Sequence, residues 1–155
     1  MRVVIAAVGR PRDRALSDAI REYEARAARY WPLDVVEVRE ESARGSSADV
    51  VREREGDRLL ARVGTGAYVV ACDEGGTLLT SATFAGLLRA ERERAARDVA
   101  FIIGGAYGLS SRVRAVAGLL LAFSRWTLPH ELARLVLAEQ LYRAGTIVRG
   151  EPYHK

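Results

Sequence analysis

The segment Val99-Ala100-Phe101-Ile102-Ile103 carries five apolar residues in a row and no polar one. A strand of that composition has no face to offer to water. It needs cover on both sides, which parallel sheets obtain from the helices that connect their strands. The rest of the chain supplies the parts. Residues 2–8, 33–38, 68–72 and 116–123 read as four further strands, and helical patterns lie between them. A helix over 14–31 has Asp13 as its cap and Leu16, Ala19, Ile20, Tyr23, Ala27 and Tyr30 on one face, with Pro32 as its stop. Ser46 and Asp49 have capping-box spacing for a charged helix that runs to about residue 63. A turn is expected at 73–76, a helix over 81–94, and a short helical turn at 110–114. Pro129 suits the first turn of a last helix that reaches about residue 146, and 149–155 form a tail. The expectation is one α/β domain over 1–155, a mostly parallel sheet flanked by helices.

Composition narrows the chemistry. The one cysteine, Cys72, excludes an internal disulfide, and two histidines are few for a metal cage. No apolar run approaches the roughly 20 residues of a membrane span. The apolar start is brief and runs into Arg10-Pro11-Arg12-Asp13-Arg14, which fits a buried strand better than a signal peptide. The net charge of +4 rests almost wholly on arginine, since Lys155 is the only lysine. Arginine suits phosphate recognition, but arginine-biased codon usage gives the same composition, so a nucleic-acid partner is permitted and not established.

Ligands of open parallel sheets bind beyond the carboxyl ends of the strands. Three loops therefore come into view, after Cys72, after Ile103 and after Phe123. Gly104-Gly105-Ala106-Tyr107-Gly108 lacks the dinucleotide fingerprint and, taken alone, reads as a tight turn. The loop Phe123-Ser124-Arg125-Trp126-Thr127-Leu128-Pro129-His130 reads equally as a helix cap or as a ligand loop rich in hydroxyls and backbone amides. His130 and Arg134 share a helix face, and Glu139 and Arg143 have the spacing of an exposed ion pair. Tyr153-His154 would ordinarily be a frayed end. The residues by themselves reach an α/β domain with a small-molecule site at three loops, and no further.

In combination they are specific. The strings Ile103-Gly104-Gly105-x-x-Gly108-Leu109-Ser110, Phe123-Ser124-x-x-Thr127-Leu128-Pro129-His130, Glu139-Gln140-x-Tyr142-Arg143-Ala144 and Pro152-Tyr153-His154-Lys155 resemble the bacterial 23S ribosomal RNA pseudouridine N3-methyltransferase family (RlmH, or YbeA-like) of the SPOUT class. Val8-Gly9 and Glu22-Tyr23 match its amino-terminal half. The resemblance implies a SPOUT fold with a C-terminal trefoil knot and a cytoplasmic homodimer whose sites are completed across the interface. It implies S-adenosylmethionine as methyl donor, no metal, and 23S ribosomal RNA within the assembled 70S ribosome as substrate, with no DNA or membrane partner. Carried over residue by residue, the donor pocket is Cys72, Gly104, Gly105, Phe123, Ser124, Arg125, Trp126, Thr127 and Leu128, with Leu109 a neighbour; relatives often carry leucine where Cys72 stands. Arg134 and Arg143 are the RNA-binding candidates. His154 is the first candidate for the proton acceptor, with Tyr153 and His130 as alternatives. The tail is expected to be loosely held until RNA orders it.

Overall fold

The computed structural model describes residues 1–155. Its elements in chain order are β1 (Val3–Val8), α1 (Arg14–Ala27), β2 (Leu33–Val38), α2 (Ala48–Arg62), β3 (Tyr68–Leu78), α3 (Ser81–Arg94), β4 (Val99–Ile103), α4 (Ser111–Val116), β5 (Leu119–Ala122) and α5 (His130–Arg149). The strands form one sheet in the order β2-β1-β4-β3-β5, parallel throughout. The two strands with the purest apolar runs, β1 and β4, pair with each other, and every residue of both is buried.

Alternation along the strands divides the core. Val3, Ile5, Phe101 and Ile103 face Trp31, Phe84, Leu88, Leu137 and Leu141, which come from α3, α5 and the chain just after α1. Ala6, Val8 and Ile102 face Leu59 and Val113 of α2 and α4. Truncating a side chain as enclosed as Phe101 costs about 3–5 kcal/mol, because the cavity left behind cannot fully close. No helix is long and apolar enough to cross a membrane.

Side-chain caps begin four of the helices. Asp13, Ser47, Thr80 and Ser110 accept the backbone N–H groups of Leu16, Val50, Thr83 and Val113 at 2.8–3.3 Å, each worth about 1 kcal/mol. The cap of α2 is thus Ser47, one residue later than the Ser46 that the capping-box spacing suggests. Helix α1 stops at Ala27 rather than at residue 31, and Trp31 turns inward to donate from Nε1 to the Leu141 carbonyl at 2.9 Å. Helix α4 takes up Val116, so β5 begins only at Leu119. Helix α5 outlasts its expected end by three residues and closes at Gly150, whose φ is +68°.

The expected turn at 73–76 is a bulge within a longer strand. Cys72 and Thr77 both sit opposite Leu121 of β5, and the residues between them loop out. Asp73 stabilises the loop by accepting the Gly75 N–H at 2.9 Å. A side chain at Gly76 would stand 2.6 Å from the Leu120 carbonyl carbon, so glycine is what lets β3 rejoin β5.

Candidate functional site

A cavity of about 750 Å³ opens at the carboxyl ends of β3, β4 and β5, within the ~300–1,000 Å³ usual for small-molecule sites. Three loops build it, those after β4 and β5 and the bulge in β3. The loop after β4 is tight. The Gly108 N–H donates to the Gly105 carbonyl at 3.0 Å, and Gly108 has a φ of +80°. A Cβ on Gly104 would lie 2.6 Å from the Gly108 carbonyl oxygen, so only glycine lets the loop fold back there.

Of the donor set expected from sequence, Cys72, Gly104, Gly105, Phe123, Ser124, Trp126, Thr127 and Leu128 line this cavity, and so do Leu109 and His130. Arg125 does not line it and is exposed. The Ser124 hydroxyl is spent on its own loop, accepting the Trp126 N–H at 3.1 Å and donating to the Trp126 carbonyl at 2.7 Å. Ser124 therefore braces the loop from within. Thr127 donates to the Glu74 carboxylate. Trp126 is 83% exposed at the rim. Burial pushes the Cys72 thiol up from its ordinary range, and neighbouring Asp73 adds to the effect, so Cys72 is a neutral wall.

Sequence reasoning missed the charged lining. Asp73 and Glu74 border the cavity, Asp73 held by Arg114 at 2.8 Å. Arg52 reaches over from α2 and donates to the Tyr107 carbonyl at 3.4 Å. The loop after Cys72 is among the three that the sequence brings into view, but its two acidic residues carry no role in that reading. Two arginines, Arg52 and Arg114, and two carboxylates, Asp73 and Glu74, line the cavity, so its volume, glycine-lined backbone and mixed charge suit a compact ligand with polar and charged groups.

The remaining candidates lie elsewhere: Arg134, Arg143, Tyr153 and His154 do not line the cavity. Arg134 is buried, and it donates to Glu24 at 2.8 Å and Glu37 at 2.7 Å. Here it ties α5 to α1 and β2, its guanidinium turned inward to two carboxylates. Its spacing from His130 was read correctly, but its depth depends on tertiary packing that spacing does not encode.

The tail folds onto α5. Arg143 donates to Glu139 Oε1 from Nε at 3.0 Å and from Nη2 at 2.5 Å, so this pair is partly buried rather than exposed. The Arg143 guanidinium stacks 4.6 Å over the Tyr153 ring, and the Tyr142 ring lies 4.6 Å from the same ring. His154 Nδ1 is 3.4 Å from Arg143 Nη1. Tyr30 donates to Glu151, which holds the base of the tail. The loosely held end expected from sequence is, in this structure, a packed one. Burial first, then Tyr23 and Glu139, push the Tyr153 phenol upward.

With this geometry in hand, comparison with known proteins is direct. A family model described as "Predicted SPOUT methyltransferase" matches residues 1–154. The chain is 63% identical over 155 residues to "Ribosomal RNA large subunit methyltransferase H" of Gemmatimonas aurantiaca, with all of both chains covered. Proteins of the same name from Anaeromyxobacter sp. strain K and Clostridium beijerinckii are 50% and 42% identical, again over the full length of each chain. The chain belongs to the SPOUT methyltransferase family.

Proposed function

We propose that this protein transfers a methyl group from S-adenosylmethionine to N3 of a pseudouridine in 23S ribosomal RNA, acting as a cytoplasmic homodimer on the assembled 70S ribosome. The relatives' names support the ribosomal RNA substrate. The observation that carries the reading is the cavity itself: eight of the nine donor positions implied by the family resemblance converge on one space beyond the sheet. The C-terminal trefoil knot of the SPOUT class belongs to the same proposal.

When bound, S-adenosylmethionine supplies a methyl group on a positively charged sulfur, ready for direct attack by a nucleophile. What the chain adds is position. Holding donor and base in line at contact distance contributes up to about 7–11 kcal/mol in well-aligned reactions. The glycine loop after β4 and the Ser124-braced loop after β5 would hold the donor between them. Glu74 would put negative charge beside a cationic ligand, while Asp73 is paired with Arg114, which lines the same cavity.

The acceptor nitrogen must lose a proton. His130 stands on the cavity wall of its own chain. His154 belongs to the tail cluster and is exposed beside Arg143. Because that cluster lies outside the cavity of its own chain, its part in the reaction calls for a second copy, which the homodimer supplies. In this reading His154 of one chain accepts the proton at the site of the other, with His130 as the alternative. Tyr153 and Arg143 position the base and stabilise the charge that develops on it. Mapping modified nucleotides in 23S ribosomal RNA from a strain lacking this protein tests the proposal. One methylated pseudouridine should disappear and return on complementation; an unchanged modification map contradicts it.

A further inference from the structure

One buried side-chain polar atom has no hydrogen-bond partner: Oε2 of Glu55, on α2. The residue is 4% exposed. Its other oxygen, Oε1, accepts the Glu41 backbone N–H at 3.0 Å and so fixes the side chain. Oε2 is aimed at the glycine loop of the cavity. A Cβ built on Gly105 would stand 2.7 Å from it, and 3.1 Å from Val8 Cγ1. Gly105 lines the cavity and Glu55 does not, so the backbone of one glycine separates this carboxyl from the ligand space.

The charged groups around it offer little compensation. Glu40 and Glu41, from the loop after β2, oppose a negative charge on Glu55. Arg58, on the same helix, favours one, but its guanidinium is committed to Glu41 and to the Arg39 carbonyl. Arg54 is likewise paired with Glu41. Gly105 and Val8 bring no charge. Burial is the largest influence and pushes the carboxyl upward from its ordinary range.

Resting on the reading of the cavity as the S-adenosylmethionine site, we infer that Glu55 is an ionisable floor of that site: a buried carboxyl beneath Gly105 whose proton, where it carries one, is released to solvent when the cationic donor binds on the other side of the loop. The O–H bond breaks, its electron pair stays on Oε2, and the proton leaves to buffer. The carboxylate would then lie one glycine's backbone away from the cavity that would hold the cationic donor. Asp73, already paired with Arg114, and Glu74, open to solvent, do not play this part. The product S-adenosylhomocysteine lacks the sulfonium charge and gives the acid less reason to ionise. Glu55 therefore favours donor over spent product at one site, as a positioning residue acting through the field at the loop. Donor binding and protonation of Glu55 oppose each other, so donor affinity falls as pH drops through the titration of the acid and rises as pH increases.

The test is calorimetric titration of S-adenosylmethionine and S-adenosylhomocysteine into the full-length protein and into Glu55→Gln, at pH 5 to 8, in pairs of buffers with different ionisation enthalpies. The wild type should release protons on binding the donor and fewer on binding the product. Its donor affinity should rise by up to about tenfold for each unit by which the donor lowers the acid's pKa. Glu55→Gln keeps an acceptor for the Glu41 N–H; it should bind the donor with no such release, a flat pH profile and a reduced preference for donor over product. Glu55→Asp retains an acid and should release protons over a shifted pH range, which serves if the Gln variant does not fold. Equal proton release by wild type and Glu55→Gln, or none from the wild type at any pH, overturns the inference while leaving the cavity assignment intact. Failure of both ligands to bind the wild type overturns the cavity assignment and the inference with it.

Discussion

Tyr153 donates its phenol hydrogen to Glu139 Oε1 at 3.1 Å, and the same oxygen receives two N–H groups from Arg143. One carboxylate oxygen thus holds the end of the chain against α5, apart from the cavity. Deleting residues 153–155 should reduce methyl transfer by about 10²–10⁴-fold, the range over which a positioned proton acceptor contributes. Donor affinity, measured by calorimetry, should stay within a few-fold of wild type. A truncated protein that methylates at the normal rate would remove the tail from the mechanism.

The sheet was legible because two of its three interior strands, β1 and β4, are wholly apolar. Nothing but burial on both faces suits Val99–Ile103, and every residue of that strand is buried. The bulge at 73–76 was not legible, because Asp73-Glu74-Gly75-Gly76 has the chemistry of a reversing turn. Only the approach of Leu120 and Leu121 explains why the chain continues instead. The donor loops were visible as glycine and hydroxyl clusters at strand ends, although Ser124 turns out to bind its own loop. The burial of Arg134 was not legible, because a basic residue on an amphipathic helix is ordinarily at the surface. Its two carboxylate partners are 110 and 97 residues away in the chain.

Gly104→Ala isolates the glycine loop. The new Cβ would meet the Gly108 carbonyl, and the loop must open to relieve the contact. Donor affinity should fall at least about tenfold, the effect of roughly 1.4 kcal/mol, with little change in far-ultraviolet circular dichroism. A larger side chain at Gly105 is a poor occlusion test, because it would point at Glu55 and Val8 rather than into the cavity. Unaltered donor affinity in Gly104→Ala would show that the loop can shift without consequence.

Arg134→Ala leaves Glu24 partly buried without a cation and Glu37 with only the exposed Arg10 at 3.2 Å, and breaking a buried pair typically costs about 3–5 kcal/mol. Denaturant unfolding should show that loss. The salt dependence of ribosome binding should keep its slope, since no phosphate contact is removed. A slope reduced by about one, with stability unchanged, would restore Arg134 to the RNA-facing set.

Glu91 carries a pH prediction. Arg97 and Arg94, at 3.0 and 3.1 Å, hold this buried carboxyl below its ordinary range, Arg97 more strongly. A carboxyl with a lowered folded pKa stabilises the protein above its unfolded value, and that contribution is lost as pH falls through the folded value. Both arginines are substantially exposed, so the expected cost of Glu91→Gln at pH 7 is modest, about 1 kcal/mol. The gap between variant and wild type in denaturant unfolding should narrow toward pH 3. A gap that is constant between pH 7 and pH 3 would mean that packing, not charge, makes the difference.

The central claim is methyl transfer to ribosomal RNA in the assembled particle. Purified protein should be incubated with S-adenosylmethionine labelled in its methyl group, together with 70S ribosomes, separated subunits or free 23S ribosomal RNA, all from a strain lacking the protein. The account predicts label in 23S ribosomal RNA from 70S ribosomes, recovered as N3-methylpseudouridine on nucleoside analysis, and much less from subunits or free RNA. Absence of label from 70S ribosomes, or label confined to another base or another RNA, would contradict it.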